Sequence, residues 1–174
     1  MTTASASVHA SAVLVENRAV LIRGPSGAGK SHLAFDLILA GRSGQLPPAV
    51  LVGDDRVHLE AKNGQLMVRP ARELAGLIEI RGLGIRRCDF TGEAVVGLVV
   101  DLSAADAARL PQPESLHTHI CGVEIPRIPV GAGFAALPLV LAALTMAESS
   151  AFPQPAADCS KGIGNHISST IATE

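Results

Sequence analysis

Gly24, Pro25, Ser26, Gly27, Ala28, Gly29, Lys30 and Ser31 have the spacing of a glycine, four residues and Gly-Lys-Ser, which suits a phosphate group. Glycines let successive amides turn inward and approach phosphate oxygens closely. Lys30 adds positive charge for the β and γ phosphates, and Ser31 offers a hydroxyl to Mg²⁺. A second cluster, Asp54 and Asp55, follows the apolar run Val50-Leu51-Val52. Acids at the end of a buried strand can meet a metal, its water or a substrate hydroxyl; a charged turn is the plainer reading. Glu79 and Arg81 share parity within Leu77 to Arg87, so both can face one cleft. Charges in an apolar segment need partners, and the pair reads either as a metal ligand with a phosphate contact or as a structural ion pair. His117, His119 and Cys121 alternate along one strand face, but no fourth ligand has a convincing local spacing for a metal site.

The elements that must hold these groups follow from apolar periodicity. Val8 to Val15 and Ala19 to Ile22 flank Glu16-Asn17-Arg18, which predicts a strand, a tight turn and a second strand leading into the phosphate loop; His9 then lies near the start of the first strand. Leu33, Leu37 and Ile38 repeat with helical spacing over His32 to Ala40, a helix whose N-terminal amides also favour an anion. Gly41 to Ala49 is a Gly/Pro-rich excursion. Asn63-Gly64 predicts a hairpin turn, and Pro70 to Gly76 a loop or short helical turn. Ala94 to Leu102 is a further strand ending near Asp101. Ser103 to Leu110 reads as a short helix capped by Ser103, with Asp106 three positions on. Val123 to Val130 reads as an extended edge segment because Pro126 and Pro129 cannot donate to a ladder. Pro138 starts an apolar helix to Ala147 that covers the sheet.

Composition bounds the class. A chain of 174 residues holds one well-buried core. Hydrophobic residues make up 48% and aromatic ones 2%, so the core is built from Val, Leu, Ile and Ala, as suits strands covered on both faces by helices. A net charge of -2 predicts no general attraction to nucleic acid or anionic membrane. Cys88, Cys121 and Cys159 form no CxxC pair, which indicates neither a disulfide framework nor a zinc cluster. Met1 to Ser7 lacks the pattern of a secretory signal and Ala135 to Ala147 is too short to span a bilayer, so a cytoplasmic protein is expected.

The spacing of His9, the phosphate loop, Asp54-Asp55 and Glu-Ile-Arg-Gly-Leu-Gly-Ile at Glu79 to Ile85 resembles the catalytic domain of the HPr kinase/phosphorylase family, over about Val8 to Ala147. The resemblance implies an α/β phosphate-loop kinase domain with a central, mostly mixed sheet, flanking helices and a phosphoenolpyruvate carboxykinase-like core. It implies a Mg²⁺-dependent transfer of the ATP γ-phosphoryl group to a serine of an HPr-like phosphocarrier protein of the phosphotransferase system. It also implies reverse phosphorolysis, in which inorganic phosphate yields pyrophosphate. By this resemblance His9 supports the active constellation, Lys30 binds phosphate, and Ser31 with Glu79 holds Mg²⁺. Asp55 accepts the serine proton and returns it in reversal, Asp54 supports it, Arg109 matches a family arginine of an Arg-Leu pair, and Arg81 belongs to the segment serving reversal. A family acid after the loop serine is replaced by His32. A later Pro-Gly-Arg-Asn segment is replaced around Pro129 to Phe134, which predicts weak phosphorolysis.

Family members carry an additional N-terminal domain, whereas the chain resembles a short form, with residues 1–149 a single catalytic domain and 150–174 a C-terminal tail. The resemblance further implies a homo-oligomer. Two other readings share the loop: a kinase or nucleoside triphosphatase with another acceptor, and a regulatory nucleotide-binding protein acting through a sensor-protein partner.

Overall fold

Val8 to Val15 does not run as one strand, because His9 and Ala10 turn the chain from one part of the sheet to another. In the computed structural model, which describes residues 6–147, β1 (Ala6–Val8) and β2 (Ser11–Val15) therefore pair with different neighbours. The expected tail at 150–174 lies outside the described residues. β2 turns at Glu16-Asn17 into antiparallel β3 (Arg18–Arg23). In β3, Ala19 and Leu21 enter one core and Val20 and Ile22 the other, as a strand buried on both faces requires.

β3 feeds the phosphate loop and then α1 (Lys30–Arg42). Next come β4 (Ala49–Gly53), β5 (Val57–Lys62) and β6 (Gln65–Pro70). The β5–β6 turn is Asn63-Gly64, with φ of 52° and 74°, as expected for a two-residue hairpin. β7 (Leu77–Ile80) and β8 (Gly84–Arg87) form a separate antiparallel ribbon. The continuous apolar segment read from sequence is thus folded back at Arg81-Gly82-Leu83, and Arg81 sits in the turn. β9 (Ala94–Leu102) is followed by β10 (His117–Ile120), β11 (Val123–Val130) and α2 (Leu137–Thr145).

The main sheet has the order β1-β5-β6-β9-β3-β2-β4, with β11 joining β9 and β10 joining β11. β9 pairs parallel with β3 along one side; on the other it pairs with β6 near its start and with β11 near its end. Its side chains switch core in the middle: Ala94 and Val96 lie in one cluster, Leu98, Val100 and Leu102 in the other. Gly97 makes the switch, at a register shift against β3 where a Cβ would come within 2.8 Å of the Arg18 Cβ. α1 and α2 pack over only one core. The other is closed by β5, β6 and Ile125 of β11, because the mixed sheet curls on itself. The expected central mixed sheet is therefore present, with the described helices gathered on one face. Each half of β11 has one neighbour, so its prolines interrupt no central ladder. α2 covers less than its sequence suggests: Val140 is buried, whereas Leu139, Leu144 and Met146 are exposed.

No helix forms over Ser103 to Leu110. Ser103 adopts φ 59°, and Asp106, read as the partner of a cap, instead accepts hydrogen bonds from Arg127 at 2.7 and 3.0 Å. The same guanidinium bonds Asp101 and the Ser115 carbonyl oxygen, so a long-range ion pair replaces local capping. Arg23, the last residue before the phosphate loop, donates to both Asp101 oxygens at 2.7 and 2.8 Å. Burial pushes the Asp101 carboxyl up, but hydrogen bonds and charge from Arg23 and Arg127 outweigh it and hold the group below its ordinary value. A depressed folded-state value stabilises above the unfolded value of about 3.9 and is lost as pH falls through the folded one. Thermal midpoints from about pH 7 to about pH 3 should therefore fall less steeply for Asp101→Asn than for the natural chain. Parallel curves would remove Asp101 from the acid response.

Candidate active site

The phosphate loop begins where β3 ends, and its backbone demands glycine. Gly24 has φ 149°, and a Cβ there would stand 3.0 Å from Leu102. Gly29, with φ 96°, caps α1 without a side chain, so the first helical amides remain directed at the loop. Lys30 is 6% exposed, and its ammonium donates to the carbonyl oxygens of Gly24 and Pro25, each at 3.0 Å. The ammonium is thereby held against the loop, within reach of any anion bound there.

The acids sit at the end of β4. Asp54 is buried, and its Oδ1 accepts hydrogen bonds from Ser11 at 2.6 Å and Ser31 at 2.9 Å. Its Oδ2 accepts the Glu79 backbone amide at 3.0 Å. One carboxylate thus ties β2, α1 and β7 together. Asp55 points the other way. It adopts φ 64°, a left-handed conformation that costs a residue with a Cβ about 1–2 kcal/mol, and its Oδ1 lies 3.2 Å from His9 Nε2. The register explains the meeting: Val8 of β1 pairs with Val57 of β5, so the residue leaving β1 stands beside the turn entering β5.

These groups line one cleft of about 920 Å³ between the loop, α1 and β7. His9, Lys30, Ser31, Asp55, Glu79 and Arg81 all contribute to it, together with Ser26, Gly27 and Gly29 of the loop. The farther wall on α1 carries His32, Phe35, Asp36 and Leu39, with His32 Nε2 3.5 Å from Asp36 Oδ2. Two expected site residues stand apart. Asp54 lies beneath the cleft, behind Ser31. Arg109 is exposed in the connection after β9 and is not among the residues lining the cleft. Ser11 has no counterpart in the expected site, although a hydroxyl inside the apolar run Ala10 to Val15 was its visible signal.

Among the described residues no three His, Cys, Asp or Glu side chains converge as a metal cage. The oxygen donors Ser31 and Glu79, both on the cleft wall, nevertheless fit Mg²⁺, which uses one or two carboxylates and substrate phosphates in place of a closed protein cage. No helix among the described residues is long and apolar enough to cross a membrane.

A strand–loop–helix anion cradle beside a buried acid at the end of another strand of the same sheet defines a phosphate-loop α/β domain. The chain belongs to the HPr Serine kinase C-terminal domain family, whose family model matches residues 1–152. It is 34% identical over 143 residues to the HPr kinase/phosphorylase of Mycoplasma mycoides subsp. mycoides, covering 74% of this chain and 44% of that protein. The HPr kinase/phosphorylase of Enterococcus faecalis is 38% identical over 141 residues, 73% of this chain and 43% of that protein. Among solved structures, the HPr(Ser) kinase/phosphatase from Coxiella burnetii matches with a TM-score of 0.63 and 27% identity, covering 80% of this chain and 93% of that one. The chain spans less than half the length of these two curated relatives.

Proposed function

We propose that the chain is a Mg²⁺-dependent protein serine kinase that transfers the γ-phosphoryl group of ATP to a serine of an HPr-like phosphocarrier protein. The observation that carries this reading is the His9–Asp55 pair, 3.2 Å apart, on the wall of the cleft that also contains the phosphate loop. A loop alone binds a nucleotide; an exposed carboxylate facing the same cleft gives an incoming hydroxyl a place to leave its proton.

Loop amides and Lys30 hold the phosphates and stabilise charge on the transferring group. Ser31 and Glu79, with Asp54 behind Ser31, hold Mg²⁺, which when bound neutralises charge on the phosphate oxygens. Asp55 orients the serine hydroxyl and takes its proton as the oxygen attacks the γ-phosphorus and the bond to the β,γ-bridging oxygen breaks, releasing ADP, while His9 holds the carboxylate in place. Arg81, at the turn of the β7–β8 ribbon, balances negative charge at the cleft mouth. In reverse, inorganic phosphate attacks the phosphorus of the phosphoserine, the bond to the serine oxygen breaks, Asp55 returns the proton to that oxygen, and pyrophosphate is the product. The expected weakness of reversal rests on the Pro129 to Phe134 segment, the last two residues of β11 and the turn after it, with Phe134 exposed.

The test incubates the purified chain with Mg²⁺, γ-labelled ATP and the HPr-like protein of its own organism. Acid-stable, serine-linked label on that protein is the expected result. ATP binding with label on a small metabolite alone would replace the acceptor, and ATP binding with no transfer would leave a nucleotide-dependent binding protein.

A further inference from the structure

We infer that Ser11 is a positioning residue for the metal-facing side of the phosphate loop. Its side chain is fully buried, between Ala10 and Ala12, which are equally buried. A hydroxyl there has no water to turn to and must find a protein partner. It finds the Asp54 carboxylate, donating to Oδ1 at 2.6 Å. The placement is set by the sheet: Ala12 pairs with Gly53 across the β2–β4 register shift, which brings the preceding residue of β2 alongside the residue that follows Gly53.

The consequence lies on the far side of the carboxylate. Asp54 Oδ1 also accepts from Ser31 Oγ at 2.9 Å. Ser31 thus spends its proton on Asp54 and keeps its oxygen lone pairs for a hard cation. With Oδ2 fixed by the Glu79 amide and Oδ1 by Ser11, the carboxylate has no freedom to rotate away from Ser31. Partners behind a ligand orient it and commonly change metal affinity by about 10–100-fold when removed. Ser11 acts through Asp54 and Ser31 and touches neither nucleotide nor acceptor. This role rests on the nucleotide-binding reading proposed above.

The experiment uses the full chain and Mn²⁺ as a paramagnetic probe, titrated by electron spin resonance with a non-hydrolysable ATP analogue. Ser11→Ala, which removes one buried oxygen, should weaken Mn²⁺ binding in the ternary complex by about tenfold. Its affinity for the analogue in chelator should stay within about twofold. Ser11→Thr, which keeps the hydroxyl, should bind Mn²⁺ more tightly than Ser11→Ala. Thermal melts of all three proteins separate the alternatives. A lowered midpoint for Ser11→Ala with unchanged Mn²⁺ affinity makes the hydroxyl merely structural and overturns the inference. If the natural chain binds the analogue but Ser11→Ala holds Mn²⁺ equally well, only the role of Ser11 fails. If the natural chain binds neither analogue nor Mn²⁺, the kinase reading falls and takes this inference with it.

Discussion

Asp55→Asn should lower the turnover of phosphoryl transfer by about 10²–10⁴-fold, the range for loss of a general base, with ATP affinity unchanged. The substitution suits the position. Asparagine tolerates the left-handed backbone about as readily as aspartate, so φ 64° is retained. It keeps the size of the side chain and an oxygen that can face His9. What it loses is the ability to take a proton. Single-turnover transfer measured beside ATP binding distinguishes the outcomes. Reduced transfer at saturating ATP with an unchanged dissociation constant assigns the proton to Asp55. Undiminished transfer removes it from the chemistry and leaves the His9–Asp55 pair as a surface contact.

Lys30→Met should lower kcat/KM by about 10²–10³-fold, or about 3–4 kcal/mol of charge stabilisation. Unlike Asp55→Asn, it should also weaken nucleotide binding, because the ammonium meets phosphates before and during transfer. Methionine fills the buried stem of the lysine and removes the charge. The carbonyls of Gly24 and Pro25 lose their donor at 3.0 Å, so a stability cost of about 1 kcal/mol accompanies the change. Calorimetric titration of ATP with a parallel thermal melt checks both parts. Unchanged ATP affinity in a folded Lys30→Met protein would mean that the loop does not hold the β and γ phosphates.

The legible parts of the chain were those in which local pattern and chemistry coincide. The phosphate loop, the helix after it, the Asn63-Gly64 hairpin and the strands around Leu21 and Val99 announce themselves through spacing and glycine. His9 and Asp55 are nameable through the family resemblance alone, and their contact depends on the pairing of Val8 with Val57, which no local signal contains. Ser103 to Leu110 misled for the converse reason. Its capping pattern is real as a propensity, but Arg127, 21 residues beyond Asp106, takes the acid that a helix would use. The fold-back at Arg81 was hidden because Leu77 to Arg87 reads as extended whether it is one strand or two. Ser11 shows in the sequence as one hydroxyl in an apolar strand, a signal that names no partner until Asp54 is placed beside it.

The β7–β8 ribbon stands outside the nine-stranded sheet, and every residue of β8 is exposed. A two-stranded ribbon is marginal by itself, so its opening has its own small free energy, separate from global unfolding. β7 is the better-held strand, since Ile78 is buried in the core and the Glu79 amide is fastened to Asp54. Solvent deuterium therefore meets two populations on one short hairpin: amides bonded only across the ribbon, which trade each time it opens, and one inner amide whose protection is a gauge of whether the buried carboxylate is still in place.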